Sequence, residues 1–153
     1  MEDALKQAKL KALSLLTDMD RTEEQLRQKL RKKAYEDDVI EQAIAYVKSF
    51  GYIDDAKYAQ RFVESRKKTK SKQEISAMLS QKGVSCGLIS EAFEMCYSSE
   101  DAVEAIRYLA EKKHYSPEQS TDKEIKKIYE YLLRRGFYYE DIRQVIQVSF
   151  RNA

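Results

Sequence analysis

The most conspicuous acidic pair in the sequence is Asp54 with Asp55. Two carboxylates that face each other could bind a metal ion or share the acid–base steps of a reaction. Adjacent residues of a helix do not face one another, however, so this pair could not act together on one substrate. Acidic residues are instead favoured at the start of a helix, where they accept hydrogen bonds from exposed N–H groups. We therefore predict a helix start at Asp54, without a catalytic or metal-binding role.

The other reactive side chains also lack the groupings that catalysis needs. His114 is the single histidine, and Cys86 and Cys96 lie ten residues apart without a CxxC spacing. The sequence contains no GxSxG motif, no glycine-rich phosphate loop and no HExxH motif. We expect a protein that is not an enzyme, with no catalytic residues, no metal site and no cofactor. The cysteines are expected to be free or structural thiols.

Cations cluster in one short segment between two predicted helices, residues 66–72, which we name the basic connection. Its five cations among seven residues are Arg66, Lys67, Lys68, Lys70 and Lys72. One or two cations are enough to complement the dipole at a helix C-terminus. The excess predicts contact with DNA phosphates or with an acidic protein surface.

A second basic set lies near the ends of three helices at aligned positions of the chain. It comprises Arg31, Lys32 and Lys33, then Lys82, and then Arg134 and Arg135. A stacked helical array would place these residues along one edge as an interrupted basic stripe. Isolated cations at helix ends are also explained by the helix dipole and by solvation. Binding along this edge and a purely local role both stay open.

The helices that must position these residues recur three times. Residues 23–44, 72–93 and 125–146 align without gaps, at offsets of 49 and 53 residues, and each window holds two apolar stripes at helical spacing. A further amphipathic helix precedes each window, over Asp3–Met19, Asp54–Lys67 and Glu100–Lys113. The sequence therefore predicts an all-α protein, an elongated tandem array of three three-helix repeats. The repeats are predicted over residues 1–50, 51–98 and 99–153.

Local signals predict how the middle helix of each repeat begins and ends. Three capping boxes mark the starts: Thr22 with Gln25, Ser71 with Glu74, and Thr121 with Glu124. The third box lies three residues earlier than the alignment places it, so we expect that helix to be about one turn longer. The aligned small residues after these helices are Ala34, Gly83 and Gly136. Because alanine adopts the left-handed conformation only at a cost, we expect the first turn to differ in detail.

Helical spacing also predicts which side chains are buried. In the first helix an apolar strip is expected from Leu5, Leu10, Leu13 and Leu16. Four tyrosines with apolar neighbours are expected in the core or half-buried, namely Tyr46, Tyr58, Tyr108 and Tyr129. Tyr138 and Tyr139 flank a turn and are the better candidates for exposed contacts.

The segment from Phe50 to Arg66 is FGYIDDAKYAQRFVESR. It resembles the hallmark of the RecX family: a glycine, an apolar residue, paired aspartates, then Tyr-Ala and Phe-Val-x-Ser-Arg. Shorter segments are similar to the family's repeat signatures, namely EQLRQKL at 24–30, QKGV at 81–84 and LRRGF at 133–137. The resemblance extends from about Ala8 to Ile146. One departure is Tyr138, where the third repeat of the family often has a serine as helix cap.

The resemblance implies tandem three-helix repeats that bind the RecA–DNA filament and mostly inhibit recombinase ATP hydrolysis and strand exchange, in DNA recombination, DNA repair and the SOS response. It implies no enzymatic activity. We expect the two basic sets to steer the protein electrostatically to the filament, where it bridges recombinase subunits or the DNA between them. Contact with single-stranded or duplex DNA is expected to be weak and nonspecific.

Two other functions remain as alternatives. The middle and last helices of each repeat resemble a helix-turn-helix, which would make the chain a nonspecific DNA-binding protein. The later helix of that motif enters the major groove, but here it starts with acids such as Glu36, Asp37 and Glu140, which phosphates repel. A peptide-binding helical scaffold is the third possibility, although a repeat of 49 to 53 residues exceeds that of common helix-pair scaffolds.

Net charge and hydropathy restrict the class of partner and the cellular location that we expect for the protein. The formal net charge of +2 is nearly balanced and does not by itself indicate a nucleic-acid partner. The N-terminal residues do not resemble a signal peptide, and no apolar run approaches the ~20 residues that cross a bilayer. We expect a cytoplasmic monomer without membrane association.

Overall fold

The computed structural model describes residues 2–146, which form nine α-helices and contain no strand. The helices are α1 (Glu2–Asp18), α2 (Glu23–Lys32), α3 (Asp37–Ser49), α4 (Asp55–Arg66), α5 (Lys72–Gln81), α6 (Cys86–Cys96), α7 (Ser99–Lys112), α8 (Asp122–Arg134) and α9 (Tyr139–Val145). Three consecutive helices make each repeat, so the predicted all-α class and the tandem three-helix organisation are confirmed. The last residues of the predicted third repeat, 147–153, lie outside the described residues.

The chain divides into two compact units. Unit 1 comprises Met1–Arg61 with Leu79–Glu91, and unit 2 comprises Phe62–Met78 with Ala92–Ala153. The division passes through α4, α5 and α6, so the second repeat contributes residues to both units. The elongated outline and the repeat boundaries stay predictions.

The core of unit 1 is formed by α1, α2 and α3. Its buried residues are Ala8, Ala12, Leu26, Leu30, Val39, Ile40, Ala43, Ile44, Val47 and Ile53. Each larger aliphatic side chain among them contributes roughly 1.5–3 kcal/mol by leaving water. The prediction that Leu10 belongs to the apolar strip of α1 is wrong, because its side chain is 58% exposed. Position 10 is two residues from both Ala8 and Ala12 and therefore lies on the opposite side of the helix.

The core of unit 2 is formed mainly by α7, α8 and α9. Its buried residues are Ala105, Ile106, Leu109, Ala110, Ile125, Ile128, Tyr129, Leu132, Phe137, Ile142 and Ile146. Buried Tyr129 and half-buried Tyr46 and Tyr58 confirm three of the four tyrosine predictions. The fourth is wrong, because Tyr108 is 40% exposed on α7. The exposure predicted for two further tyrosines, Tyr138 and Tyr139, is confirmed.

The predicted helix starts are confirmed. Both hydrogen bonds of the capping box are present at Thr22 and at Thr121, and Ser71 makes the same two bonds with Glu74. Helix α8 has 13 residues, whereas α2 and α5 have 10 each, which confirms the additional turn. Tyr138 precedes α9 without a capping side-chain hydrogen bond.

The turns after the three middle helices share a left-handed residue. The φ angles are 64° at Ala34, 86° at Gly83 and 93° at Gly136. The first turn nevertheless differs in detail, as expected. The Val84 N–H donates to the Leu79 carbonyl and the Phe137 N–H to the Leu132 carbonyl, both at 3.1 Å, whereas among the described residues the Tyr35 N–H makes no such bond to Leu30. A left-handed alanine costs roughly 1–2 kcal/mol, and the burial of Leu30 before the turn and Ile40 after it offsets that cost.

Candidate functional site

The basic connection has a hydrogen-bonded backbone. The Lys70 N–H donates to the Arg66 carbonyl at 3.0 Å, where α4 ends. Ser71 caps α5: its Oγ accepts from the Glu74 N–H at 3.0 Å, and its own N–H donates to Glu74 Oε1 at 2.9 Å. The cations of this segment therefore extend from an ordered turn, and its five members have different surroundings.

Lys67 points into the protein. Its Nζ donates to the Cys96 carbonyl at 3.0 Å and lies 3.3 Å from Glu64 Oε2 and 3.5 Å from Asp101 Oδ2. Only 19% of its side chain is exposed. Because two carboxylates and a carbonyl already surround its ammonium group, Lys67 links the end of α4 to the start of α7 and is poorly available to a partner.

Aromatic rings hold two other cations of the basic connection. The Arg66 guanidinium lies 4.8 Å from the centre of the Phe62 ring, and Lys72 Nζ lies 5.3 Å from the centre of the Phe93 ring. A ring attracts a cation through the negative face of its π system but does not neutralise it. Arg66 and Lys72 are therefore positioned while their charge stays available.

Lys68 and Lys70 complete the segment. Lys68 is exposed, and within residues 2–146 it has no ion-pair partner. Lys70 is half-buried and helps to lower the pKa of Glu74. Of the five cations, Lys68 and Lys72 are exposed, and Lys68 is the one of these two that lies against no ring among the described residues.

Arg135 is hydrogen-bonded to the basic connection and to the start of α5, and it is not an exposed cation. Its Nε lies 2.7 Å from Glu74 Oε2, one terminal nitrogen donates to the Tyr131 hydroxyl at 2.6 Å, and the other donates to the Thr69 carbonyl at 2.9 Å. Burial alone would raise the pKa of Glu74, but the hydrogen bonds from Arg135 and from the Ser71 N–H outweigh burial and lower it. Arg135 thus fixes residues 69–74 from the end of α8.

A buried hydroxyl joins one repeat to the next in each unit. In unit 2 the Ser71 Oγ donates to the Arg135 carbonyl at 2.5 Å, and in unit 1 the Thr22 Oγ1 donates to the Lys82 carbonyl at 2.5 Å. Both hydroxyl residues are N-caps of middle helices, and their acceptors directly precede the left-handed glycines of the next repeat. We name this arrangement the cap–turn joint. It brings the N-terminus of α2 to the end of α5, and the N-terminus of α5 to the end of α8.

Part of the second basic set meets in unit 1 beside one cap–turn joint. A shallow cavity of about 200 Å³ there is lined by Arg21, Glu24, Gln25, Gln28, Lys29, Lys32, Gln81 and Lys82. Lys32 and Lys82, which belong to different repeats, therefore share one surface. Lys29 lies with them, and sequence reasoning missed it because it is not at an aligned basic position.

The other cations of repeat 1 lie at the end of α2. Lys33 is exposed and follows the helix as its C-cap. Arg31 is exposed as well, and its Nε lies 3.8 Å from Asp37 Oδ1. An exposed pair at this distance is weak, so the charge of Arg31 remains accessible.

Arg134 lies in a separate groove of unit 2, which we name the α7–α8 groove. Its volume is about 380 Å³, and it is lined by Lys113, Glu124, Lys127, Ile128, Glu130, Tyr131 and Arg134. Arg134 thus has Lys113 and Lys127 as cationic neighbours, and both were missed from the sequence. Lys127 precedes Arg134 by two helical turns, a spacing that places both on one face of α8 and could have indicated them.

The acidic pair performs the predicted capping role. Asp54 Oδ1 accepts from the Lys57 N–H at 3.1 Å, so Asp54 caps α4. Asp55 Oδ1 accepts from the Glu23 N–H at 2.9 Å at the start of α2, and burial raises the pKa of this carboxyl. In the described part of the chain, no group of histidine, cysteine and acidic side chains could hold a metal ion. No helix among those residues is long and apolar enough to cross a membrane.

Fold and surface together define a tandem three-helix repeat protein whose most distinctive chemistry is a set of positioned cations. Comparison with known families identifies three such domains along the chain. The first, second and third three-helix domains of RecX match residues 8–46, 54–92 and 99–146. The chain belongs to the RecX family.

Individual relatives agree with this assignment. Regulatory protein RecX of Clostridium acetobutylicum is 33% identical over 153 residues, covering 97% of this chain and 72% of that protein. Regulatory protein RecX of Cronobacter sakazakii is 34% identical over 147 residues, covering 88% and 87%. The crystal structure of RecX from Lactobacillus salivarius has a TM-score of 0.85 and 30% identity, covering 96% of this chain and 97% of that one. The relatives from Clostridium acetobutylicum and Cronobacter sakazakii are named as regulatory proteins, and a regulatory role of the RecX type follows for this chain.

Proposed function

We propose that this chain binds the RecA–DNA filament and mostly inhibits ATP hydrolysis and strand exchange by the recombinase. The regulatory family supports a role of this kind. The single observation that carries the proposal is the basic connection, which presents Lys68 and Lys70 from a hydrogen-bonded turn. We further propose that the protein acts in the cytoplasm as a monomer.

The filament offers two acceptors for these cations, the DNA phosphates and acidic surfaces of recombinase subunits. Exposed cations raise the rate of encounter with either acceptor and make that rate dependent on salt. Because the backbone of the basic connection is already ordered, less conformational entropy is lost on binding than for a flexible loop. A protein bound in this way inhibits the recombinase by favouring the filament state that disassembles or that excludes a second strand.

The proposed interface is smaller than the set of cations that the sequence predicts. Lys67 and Arg135 are left out because internal partners use their charges. The interface retains Arg66, Lys68, Lys70 and Lys72 in the basic connection, and Arg31, Lys32, Lys33, Lys82 and Arg134 in the second set. Their contact with a filament stays a prediction.

The test is a pair of charge reversals with a matched control. The K68E/K70E variant should raise the protein concentration that half-inhibits RecA ATP hydrolysis on single-stranded DNA by at least about tenfold, since each lost contact costs roughly 0.7 kcal/mol. The K6E/K57E control changes net charge by the same amount near the starts of α1 and α4, where glutamate is tolerated. Equal inhibition by both folded variants would exclude the basic connection. If the unaltered protein does not inhibit RecA at all, the proposed function itself fails.

The helix-turn-helix alternative remains the second candidate. Its later helix would be α3, which starts beside the exposed acids Glu36, Asp37 and Asp38. These carboxylates oppose entry into a groove lined by phosphates. Tight binding of duplex DNA without RecA, abolished by substitutions on α3, would favour this alternative over filament regulation.

A further inference from the structure

The α7–α8 groove gathers cations from two helices. Lys113 comes from the end of α7, whereas Lys127 and Arg134 lie on one face of α8, about 10 Å apart along its axis. Lys112 lies next to this group and interacts with Tyr108 and Tyr131, the second of which lines the groove. Three cations therefore line a groove of about 380 Å³, and Lys112 lies beside it.

These four cations keep their charge. Among the residues that the structure describes, Lys112, Lys113, Lys127 and Arg134 form no ion pair. Two of them lie against rings instead: Lys112 Nζ is 5.0 Å from the centre of Tyr108 and Lys113 Nζ is 4.4 Å from the centre of Tyr131. Such contacts position an ammonium group without neutralising it.

The two acids of the groove do not balance this charge. Glu124 completes the capping box of α8: its Oε1 accepts from the Thr121 N–H at 2.8 Å, next to the positive end of the helix dipole. Glu124 also interacts with Lys127, so Glu124 and Glu130 offset part of the charge of the three lining cations and leave an excess of positive charge beside Lys112. Gathering like charges in this way opposes folding. A polyanionic ligand would relieve the repulsion.

We propose that the α7–α8 groove binds the phosphodiester backbone of single-stranded nucleic acid. Lys127 and Arg134 are far enough apart to contact different phosphates of one strand, and Lys113 lines the same groove from the end of α7. The lining cations of α8 span only about 10 Å along its axis, a length that a single strand of a few nucleotides covers. This inference deepens the proposed function by assigning a direct DNA contact, but the binding itself does not need RecA.

The test measures binding of fluorescein-labelled oligothymidine by anisotropy, without RecA, over a series of salt concentrations. The K127Q/R134Q variant should bind about tenfold or more weakly at 50 mM salt. Its slope of log affinity against log salt should fall by about 1.4, because each phosphate contact on a single strand contributes about 0.7. The K123Q/K126Q control removes the same charge from exposed positions of α8 outside the groove and should keep both affinity and slope.

Several outcomes would overturn the inference. Equal losses of oligothymidine affinity in K127Q/R134Q and in the K123Q/K126Q control would indicate an effect of net charge alone. Tighter binding of a hairpin duplex, lost in the same variant, would make duplex DNA the ligand. Unchanged DNA binding together with lost inhibition of RecA would make the groove a protein contact. A K113Q/K127Q variant repeats the test should K127Q/R134Q fail to fold. Because DNA binding is measured without RecA, this inference can fail while K68E/K70E still supports the proposed function.

Discussion

The cap–turn joint predicts that Ser71→Ala destabilises the protein far more than an ordinary helix cap does. Ser71 is 1% exposed, and its hydroxyl serves two hydrogen bonds. It accepts from the Glu74 N–H as the cap of α5 and donates to the Arg135 carbonyl in the next repeat. Thr121 offers a matched control within the chain, because it forms the same capping box from an exposed position.

The magnitude follows from the two hydrogen bonds. Loss of an N-cap side chain costs about 1 kcal/mol. The Arg135 carbonyl would in addition lose its partner at a buried site, which costs roughly 1–3 kcal/mol. We therefore expect Ser71→Ala to lower the free energy of unfolding by about 2–4 kcal/mol. Thr121→Ala, which removes only a cap, should lower it by about 1 kcal/mol.

Urea unfolding followed by circular dichroism at 222 nm measures this difference. For a slope of about 2 kcal/mol/M, Ser71→Ala should lower the midpoint by roughly 1–2 M and Thr121→Ala by roughly 0.5 M. Tyrosine fluorescence should give the same midpoints if the transition is two-state. Thr22→Ala, which breaks the joint in unit 1, should resemble Ser71→Ala. Equal losses at Ser71 and Thr121 would show that the joint adds no stability beyond the cap.

Three further predictions concern single residues. Ala34→Gly should raise the free energy of unfolding by about 0.5–1 kcal/mol, since relieved strain outweighs the added chain entropy, and a lower urea midpoint would contradict this. Gly83→Ala should lower the free energy of unfolding by at least about 1 kcal/mol more than Gly51→Ala does in the same urea experiment. Both glycines are left-handed, but an added Cβ would collide with Glu24 at position 83 and meets no atom at position 51. Glu74→Gln should cost stability at pH 7, and the cost should shrink as the pH falls below 4.5. The pKa of Glu74 is lowered from 4.5 in the folded protein, so its charge stabilises above that value and this stability is lost as pH falls through the folded pKa. A loss of unfolding free energy that stays the same from pH 7 into the acid range would refute this assignment.

Local features of this fold could be predicted from the sequence because their causes are local. The capping boxes at Thr22, Ser71 and Thr121 each need only residues three positions apart, so the starts of the middle helices followed directly. The additional turn of α8 followed from the same pattern. Leu10 shows the limit of this approach, because a leucine count does not reveal that Ala8 and Ala12 form the face that packs.

The candidate site was less predictable because the availability of a cation depends on distant partners. Lys67 and Lys68 are adjacent and identical in type, yet only Lys67 meets Asp101 from α7. Arg134 and Arg135 differ in the same way, since only Arg135 pairs with Glu74, which lies 61 positions earlier in the chain. Charge in the sequence therefore locates a basic region, and the tertiary contacts decide which of its members can bind a partner.

The cap–turn joint also explains why the three turns differ in sequence while they share a left-handed residue. In repeats 2 and 3 the second residue of the preceding middle helix packs against the turn. Glu24 lies against Gly83, and Gln73 lies against Gly136. A Cβ added at Gly136 would lie 2.6 Å from the Oε1 of Gln73. Glycine is needed at both turns for its φ angle and for this close approach. The turn at Ala34 is exposed, so an alanine there carries only the cost of its φ angle. Glycine is thus required at the two turns against which the middle helix of the preceding repeat packs. In each unit one cap–turn joint links the start of one middle helix to the end of the next by a hydrogen bond.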